Sequence, residues 1–158
     1  MKKVVVECDP DELLVKTLGL GRKEIVHQNN KGEVCNYLAK SEIKIALIDE
    51  DPGQGQPNYL KNFSFAEQKF DIKKLTQIPT GKIILIIKPR LEEWVLDQCL
   101  KSKINPEKFF LPNDAKLLKK VINLRLTHFN NLLNELKRKE NDGLRYLQSE
   151  IIKANHSE

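Results

Sequence analysis

Of 158 residues only three are cysteine and three histidine, and neither set forms a pattern that chemistry could use directly. Cys8, Cys35 and Cys99 are widely spaced and include no Cys-x-x-Cys pair. That excludes a zinc ribbon or disulfide framework and points to reduced thiols in a cytoplasmic protein. His27, His128 and His156 lack metal-ligand spacing, and read as a strand end, a helix face and a terminus. No apolar run approaches the ~18 residues of a membrane span, so no membrane partner is expected. The opening MKKVVVECDPDE turns acidic at once, as a first strand does and a signal peptide does not. Glycine is scarce as well. Gly19-x-Gly21 has Glu24 where a dinucleotide fingerprint needs glycine, and Gly81-Lys82 lacks the preceding glycine and following Ser or Thr of a phosphate loop. No Ser or Cys occupies a nucleophile elbow.

What is present is a balance of 40% hydrophobic and 31% charged residues, that of a soluble globular protein. The net charge of +5 is unevenly placed. Residues 1 to 100 carry 15 Lys and Arg against 15 Asp and Glu, whereas residues 101 to 158 carry 12 against 7. The expected organisation is an α/β core over residues 1–104 and a basic helical extension over 105–158 that packs on it. Such an extension beside an acidic edge suits a polyanion, and a solvated helical surface would show the same excess.

Read in order, Lys3 to Glu7 is a β-branched strand, and Asp9-Pro10-Asp11-Glu12 starts a helix with Asp9 as N-cap and Pro10 at N1. Asp11 and Glu12 suit the amino end of the helix dipole. Glu24 to His27 is a second strand and Glu33 to Lys40 a short helix. Ile45 to Ile48 is continuously apolar, as in a parallel strand covered on both faces. Gly53 to Pro57 is a loop, and Asn58 to Lys69 is either a helix or a packed loop. Ile72 to Gln77 leads to a turn at Pro79-Thr80-Gly81, and Lys82 to Ile87 is the fourth strand. The remainder is helical: Arg90 to Lys101, one long amphipathic helix between Ala115 and Lys139, and a last helix from Leu144 to Ala154, against its neighbour or a second copy in a homodimer. Strands alternating with helices imply a parallel, Rossmann-like sheet of about four strands with helices on both faces.

The third strand ends in Asp49-Glu50-Asp51. In open α/β sheets the carboxyl ends of strands are where ligands bind. Residues two apart on an extended chain point the same way, so Asp49 and Asp51 would stand about 6 to 7 Å apart on one side, with Glu50 pointing elsewhere. A hard cation such as Mg²⁺, or Mn²⁺ in its place, would relieve their repulsion. An acidic loop that is merely solvated would look the same. Glu7 after the first strand and Glu92 just past the fourth would reach the same edge.

A strand ending in Glu, followed about forty residues on by a strand ending in D-x-D and Pro-Gly, resembles the Toprim domain of topoisomerases, primases, small ribonucleases and OLD-type nucleases. The match covers about residues 1 to 100. The resemblance implies Mg²⁺ ligation by Glu7, Asp49 and Asp51. Lys88-Pro89-Arg90-Leu91-Glu92-Glu93-Trp94 also resembles a Pro-x-x-Glu-x-Trp signature of small Toprim-like proteins of bacterial defence systems. That implies Glu92 as a fourth ligand and Lys88 as a phosphate contact, with Glu7, Asp49, Asp51 and Lys88 as the catalytic set. Cys8 stands where the family has glycine, and His27-Gln28-Asn29 where a second one is usual, which fits a member of impaired activity.

The expected activity is metal-dependent hydrolysis of DNA or RNA phosphodiesters, with Lys88, Arg90, Lys116, Lys119 and Lys120 on the backbone. The alternatives are a non-catalytic Toprim-like module, binding metal or nucleotide and pairing with an ATPase through its carboxyl-terminal helices, and a receiver-like domain with Asp49 as phosphoacceptor. Receivers likewise place acids after the first strand, an aspartate after the third and Lys-Pro after the last.

Overall fold

The computed structural model describes residues 1–156. Six strands form one mixed sheet: β1 (Val4–Val6), β2 (Ile25–His27), β3 (Ile45–Asp49), β4 (Ser64–Lys69), β5 (Ile72–Gln77) and β6 (Lys82–Ile87). Their order is β2-β1-β3-β6-β5-β4. The first four in that order run parallel and coincide with the four expected strands. β5 and β4 extend the sheet antiparallel to β6, so the expectation of about four parallel strands is corrected to four parallel plus a hairpin.

That hairpin was hidden by its turn. Lys69 pairs with Ile72, leaving a loop of Phe70 and Asp71, both at positive φ (52° and 57°). Two-residue hairpins favour this geometry but normally fill it with Asn or Gly. Trp94 compensates: its ring is buried and its Nε1 donates to the Phe70 carbonyl at 2.8 Å, fastening the turn to the helix behind it. Gly81, at φ 72°, closes the β5 to β6 loop.

Among the described residues six α-helices complete the fold: α1 (Asp9–Thr17), α2 (Lys31–Lys40), α3 (Leu91–Lys101), α4 (Ala115–Val121), α5 (Leu126–Arg138) and α6 (Asp142–His156). Strand alternation divides the core into two layers. Val5, Ala46, Ile48, Ile84 and Ile86 meet Val34 and Leu38 of α2, with Tyr59, Leu60 and Phe63 beside them. Val4, Val6, Ile45, Leu47, Leu85 and Ile87 share the other layer with α1 and α3 to α6. The carboxyl-terminal helices therefore complete the main core, and helices cover both faces as expected.

Four helix readings need correction, the first being that the helix expected from Glu33 begins at Lys31, with Asn30 as its N-cap. Cys8, not Asp9, is the N-cap of α1, and it makes no side-chain cap. The single long helix expected from Ala115 to Lys139 is two, interrupted by a 3-10 turn at Ile122–Leu124 and by Arg125 at φ −129°, ψ 38°. The apolar spacing continues through the break because both helices cover the same layer. The last helix begins earlier, at Asp142, where the Asn141 Oδ1 caps the Leu144 amide at 3.1 Å. No helix among the described residues is long and apolar enough to cross a membrane.

Candidate metal centre

The parallel strands deliver their carboxyl ends to one edge, and the acids named from the sequence meet there. Glu7, Asp49, Asp51 and Glu92 line a cavity of about 300 Å³ together with Cys8, Arg90 and Lys119. A neighbouring cavity of about 600 Å³ shares Glu7, Asp51, Arg90 and Lys119, and runs out along the head of α2 and the loop 54–57.

Each carboxylate arrives by its own route. β1 ends at Val6, so Glu7 is the first residue off the sheet, facing the amide of Lys31 at the head of α2. β3 carries Asp49 as its last residue. Asp51 is no longer on an extended chain, since its φ is +49°, a conformation that Asp tolerates better than most residues. The turn is held to the tip of β6, with Glu50 N donating to Ile87 O at 2.9 Å and Asp51 N to Pro89 O at 3.0 Å. Asp51 reaches the cavity through this turn, and not through the strand alternation expected. Glu92 lies in the first turn of α3 and is 8% exposed.

Burial and mutual repulsion set the electrostatics. Burial, then the Asp51 charge, raises the Glu7 carboxyl above its ordinary value, while Lys31 pulls the other way. Burial also raises Glu92, against the pull of Lys119. Asp49 is pushed far above the carboxylate range by burial and then by Asp11, with the Leu91 amide opposing. Its Oδ1 is buried without a hydrogen-bond partner. Asp51 is the compensated member, 3.6 Å from Lys31 Nζ and 3.5 Å from Arg90 Nε.

Two residues central to this arrangement were not singled out from the sequence. Asp11 was read as complementing the dipole of α1, yet it is wholly buried and neither carboxylate oxygen has a partner. Its position carried a signal: Leu14, Val15 and Leu18 follow at three, four and seven residues, so Asp11 lies on the apolar stripe. Lys31, 8% exposed, extends from α2 to the Glu50 carbonyl (2.9 Å) and Gln56 Oε1 (3.2 Å), which fixes the glycine- and glutamine-rich loop. No local pattern marks it, because its partners lie 19 to 25 positions away.

The predicted cations divide. Arg90 and Lys119 line both cavities. Lys88 lines neither, for its ammonium turns to Glu50 at 3.5 Å and to Gln68 at 3.4 Å. Lys116 and Lys120 are exposed on α4 and border neither cavity.

The four carboxylates share a cavity without closing into a tight cage. Among the described residues, ligand atoms within 4.8 Å of one another are brought together by Asp9, Glu12 and His27 alone. There His27 Nδ1 stands 3.4 Å from Asp9 and 3.7 Å from Glu12. His27, read as a plain strand end, thus has acidic neighbours supplied by α1, and this trio could hold a metal. The looser set offers carboxylate oxygens, with Asp49 Oδ1 among them as a buried acceptor without a partner. Compared with protein-family models, curated proteins and solved structures, the chain gives no match in any of the three.

Proposed function

We propose that the chain is a Toprim-like, Mg²⁺- or Mn²⁺-dependent nuclease acting on DNA or RNA phosphodiesters. The observation that carries this reading is the cavity at the carboxyl edge of the parallel strands. It sets Glu7, Asp49, Asp51 and Glu92 against Arg90 and Lys119. A phosphate bridged to a cation needs both kinds of wall.

A divalent cation bound there supplies Lewis acidity toward the phosphoryl oxygens and lowers the pKa of water. Asp49 and Glu7 would hold it, with Asp51 and Glu92 as the further carboxylates. Lys31 and Arg90 keep Asp51 turned into the cavity. Arg90 and Lys119 offset the negative charge that grows on the phosphate. Where Asp49, Asp51 and Glu92 hold the cation without it, Glu7, which faces the cavity, is placed to take the proton of the attacking water instead. Lys88 has no part in this assignment, because it is engaged with Glu50. The same pairing weakens a receiver-like role for Asp49, which would need that lysine beside it.

The test is hydrolysis of end-labelled single- and double-stranded DNA and RNA with Mg²⁺ or Mn²⁺. Cleavage that needs the cation and is lost in Asp49→Ala supports the reading, and inertness toward all four substrates contradicts it. A second reading, a non-catalytic module that docks on a partner such as an ATPase, draws on Phe110, Leu117 and Leu124 of the helical extension. These are 68%, 51% and 87% exposed, and inertness would favour it.

A further inference from the structure

Asp11 has no structural duty that its chemistry explains. The polar groups that favour its ionised form are the Cys8 thiol and amide at the head of the helix, but neither closes a hydrogen bond of ordinary geometry with it. It is wholly buried with both oxygens unpartnered. The charges that act on it are Glu7 and Glu92, and it is in turn the strongest charged neighbour of Asp49, although it lies behind the cavity wall and lines neither cavity itself. The cations of the site are occupied elsewhere, with Lys31 and Arg90 on Asp51 and Lys119 pulling on Glu92.

An isolated carboxylate in such surroundings is strongly disfavoured unless a proton or a cation neutralises it. A proton would serve Asp11 alone. Asp49, on which the Asp11 charge acts more strongly than any other, has the same deficiency at its Oδ1, and one cation would satisfy both. Cys8 and Pro10, just before Asp11 in the chain, line the cavity, and Asp49 lines it too, so an ion reaching Asp49 arrives next to Asp11.

We infer that Asp11 is an additional ligand of the divalent cation held by Asp49, forming an inner position beneath the outer carboxylates Glu7, Asp51 and Glu92. This rests on reading the cavity as a cation site. The cation is a hard one, Mg²⁺ or Mn²⁺, since the donors are carboxylate oxygens.

The test uses Mn²⁺ and the full chain. Crystals of the wild type soaked in MnCl₂ should show an anomalous peak about 2.0 to 2.3 Å from oxygens of both Asp11 and Asp49. In solution Asp11→Asn should weaken Mn²⁺ binding at least about tenfold, since even outer partners of a ligand are worth that much. A peak on Asp49 that leaves Asp11 untouched overturns the inference, as does unchanged affinity in a folded Asp11→Asn. Should that variant not fold, the wild-type crystal decides alone. Mn²⁺ bound at Asp11 in a protein inert toward nucleic acid would sink the nuclease reading and leave this one standing. A wild type that binds no Mn²⁺ overturns both.

Discussion

Asp49→Asn is expected to stabilise the protein in the absence of divalent cation while removing its response to one. The amide keeps the shape of the side chain and discards the charge. In the folded chain the carboxyl sits well above its ordinary value because burial, and then Asp11, disfavour the ion. A folded value above the unfolded one means the native state retains a proton that the unfolded chain has released. Stability from this group is therefore complete below the unfolded value of ~4 and declines as pH rises toward the raised folded value. Asp11, raised by burial and by Glu7 and Glu92, acts in the same direction. In EDTA the wild type should lose stability steadily from about pH 5 into the alkaline range. Each group that stays protonated adds a slope of up to ~1.4 kcal/mol per pH unit. At pH 8, Asp49→Asn should exceed the wild type by up to about 4 kcal/mol, the slope acting over the three units above pH 5. Urea unfolding from pH 5 to 9, with EDTA or MgCl₂, measures this directly. Mg²⁺ should raise wild-type stability more at pH 8 than at pH 5, and Asp49→Asn hardly at all. A variant less stable than the wild type in EDTA at pH 8 would refute the reasoning, because it would show a carboxylate with a stabilising partner.

Gly143 sits in α6 where an added Cβ would stand 2.8 Å from Trp94 Cζ2 and from Gln98 Oε1. Gly143→Ala should cost about 1 to 3 kcal/mol in chemical denaturation, despite the ~1 kcal/mol that alanine gains in helix propensity. Trp94→Phe, which removes the indole donor to Phe70, should lose about 1 kcal/mol and raise amide exchange in the β4–β5 hairpin. Lys119→Ala should weaken nucleic-acid binding and lower its salt slope by about 1 with stability unchanged, as measured by fluorescence anisotropy across a salt series. Lys31→Met should leave the fold intact and speed proteolysis within residues 50–57, because it removes the ammonium that Glu50 O and Gln56 share. An unchanged cleavage rate would show that the loop is held by other means.

The parallel half of the sheet was legible because continuous apolar runs such as Ile45 to Ile48 and Ile84 to Ile87 permit little else between helices. The β4–β5 hairpin was not, since Phe70-Asp71 occupies a turn that Asn-Gly would announce, and β4 is mostly exposed and lacks a clear alternation. The break near Arg125 was invisible for another reason: Leu118, Ile122, Phe129 and Leu133 keep a helical rhythm across it. At the site, the direction of the parallel strands accounts for Glu7, Asp49 and, one turn into α3, Glu92 reaching one cavity. Asp51 arrived by a left-handed turn that strand geometry does not foresee. Lys88 lines neither cavity because its ammonium turns to Glu50 and Gln68, partners that no local pattern marks. Asp11 was overlooked since an acid in the first turn of a helix has a sufficient local explanation, and only its burial removes that explanation.

Calorimetric titration of the chain with Mg²⁺ and Mn²⁺, compared with an Asp49→Ala, Asp51→Ala double variant, tests most directly that the carboxyl edge of the sheet is a cation site. The account predicts saturable binding to the wild type that disappears in the folded double variant. Binding that persists there would move the ion elsewhere, to the Asp9, Glu12 and His27 trio in the first instance. A wild type that binds neither ion would contradict the account.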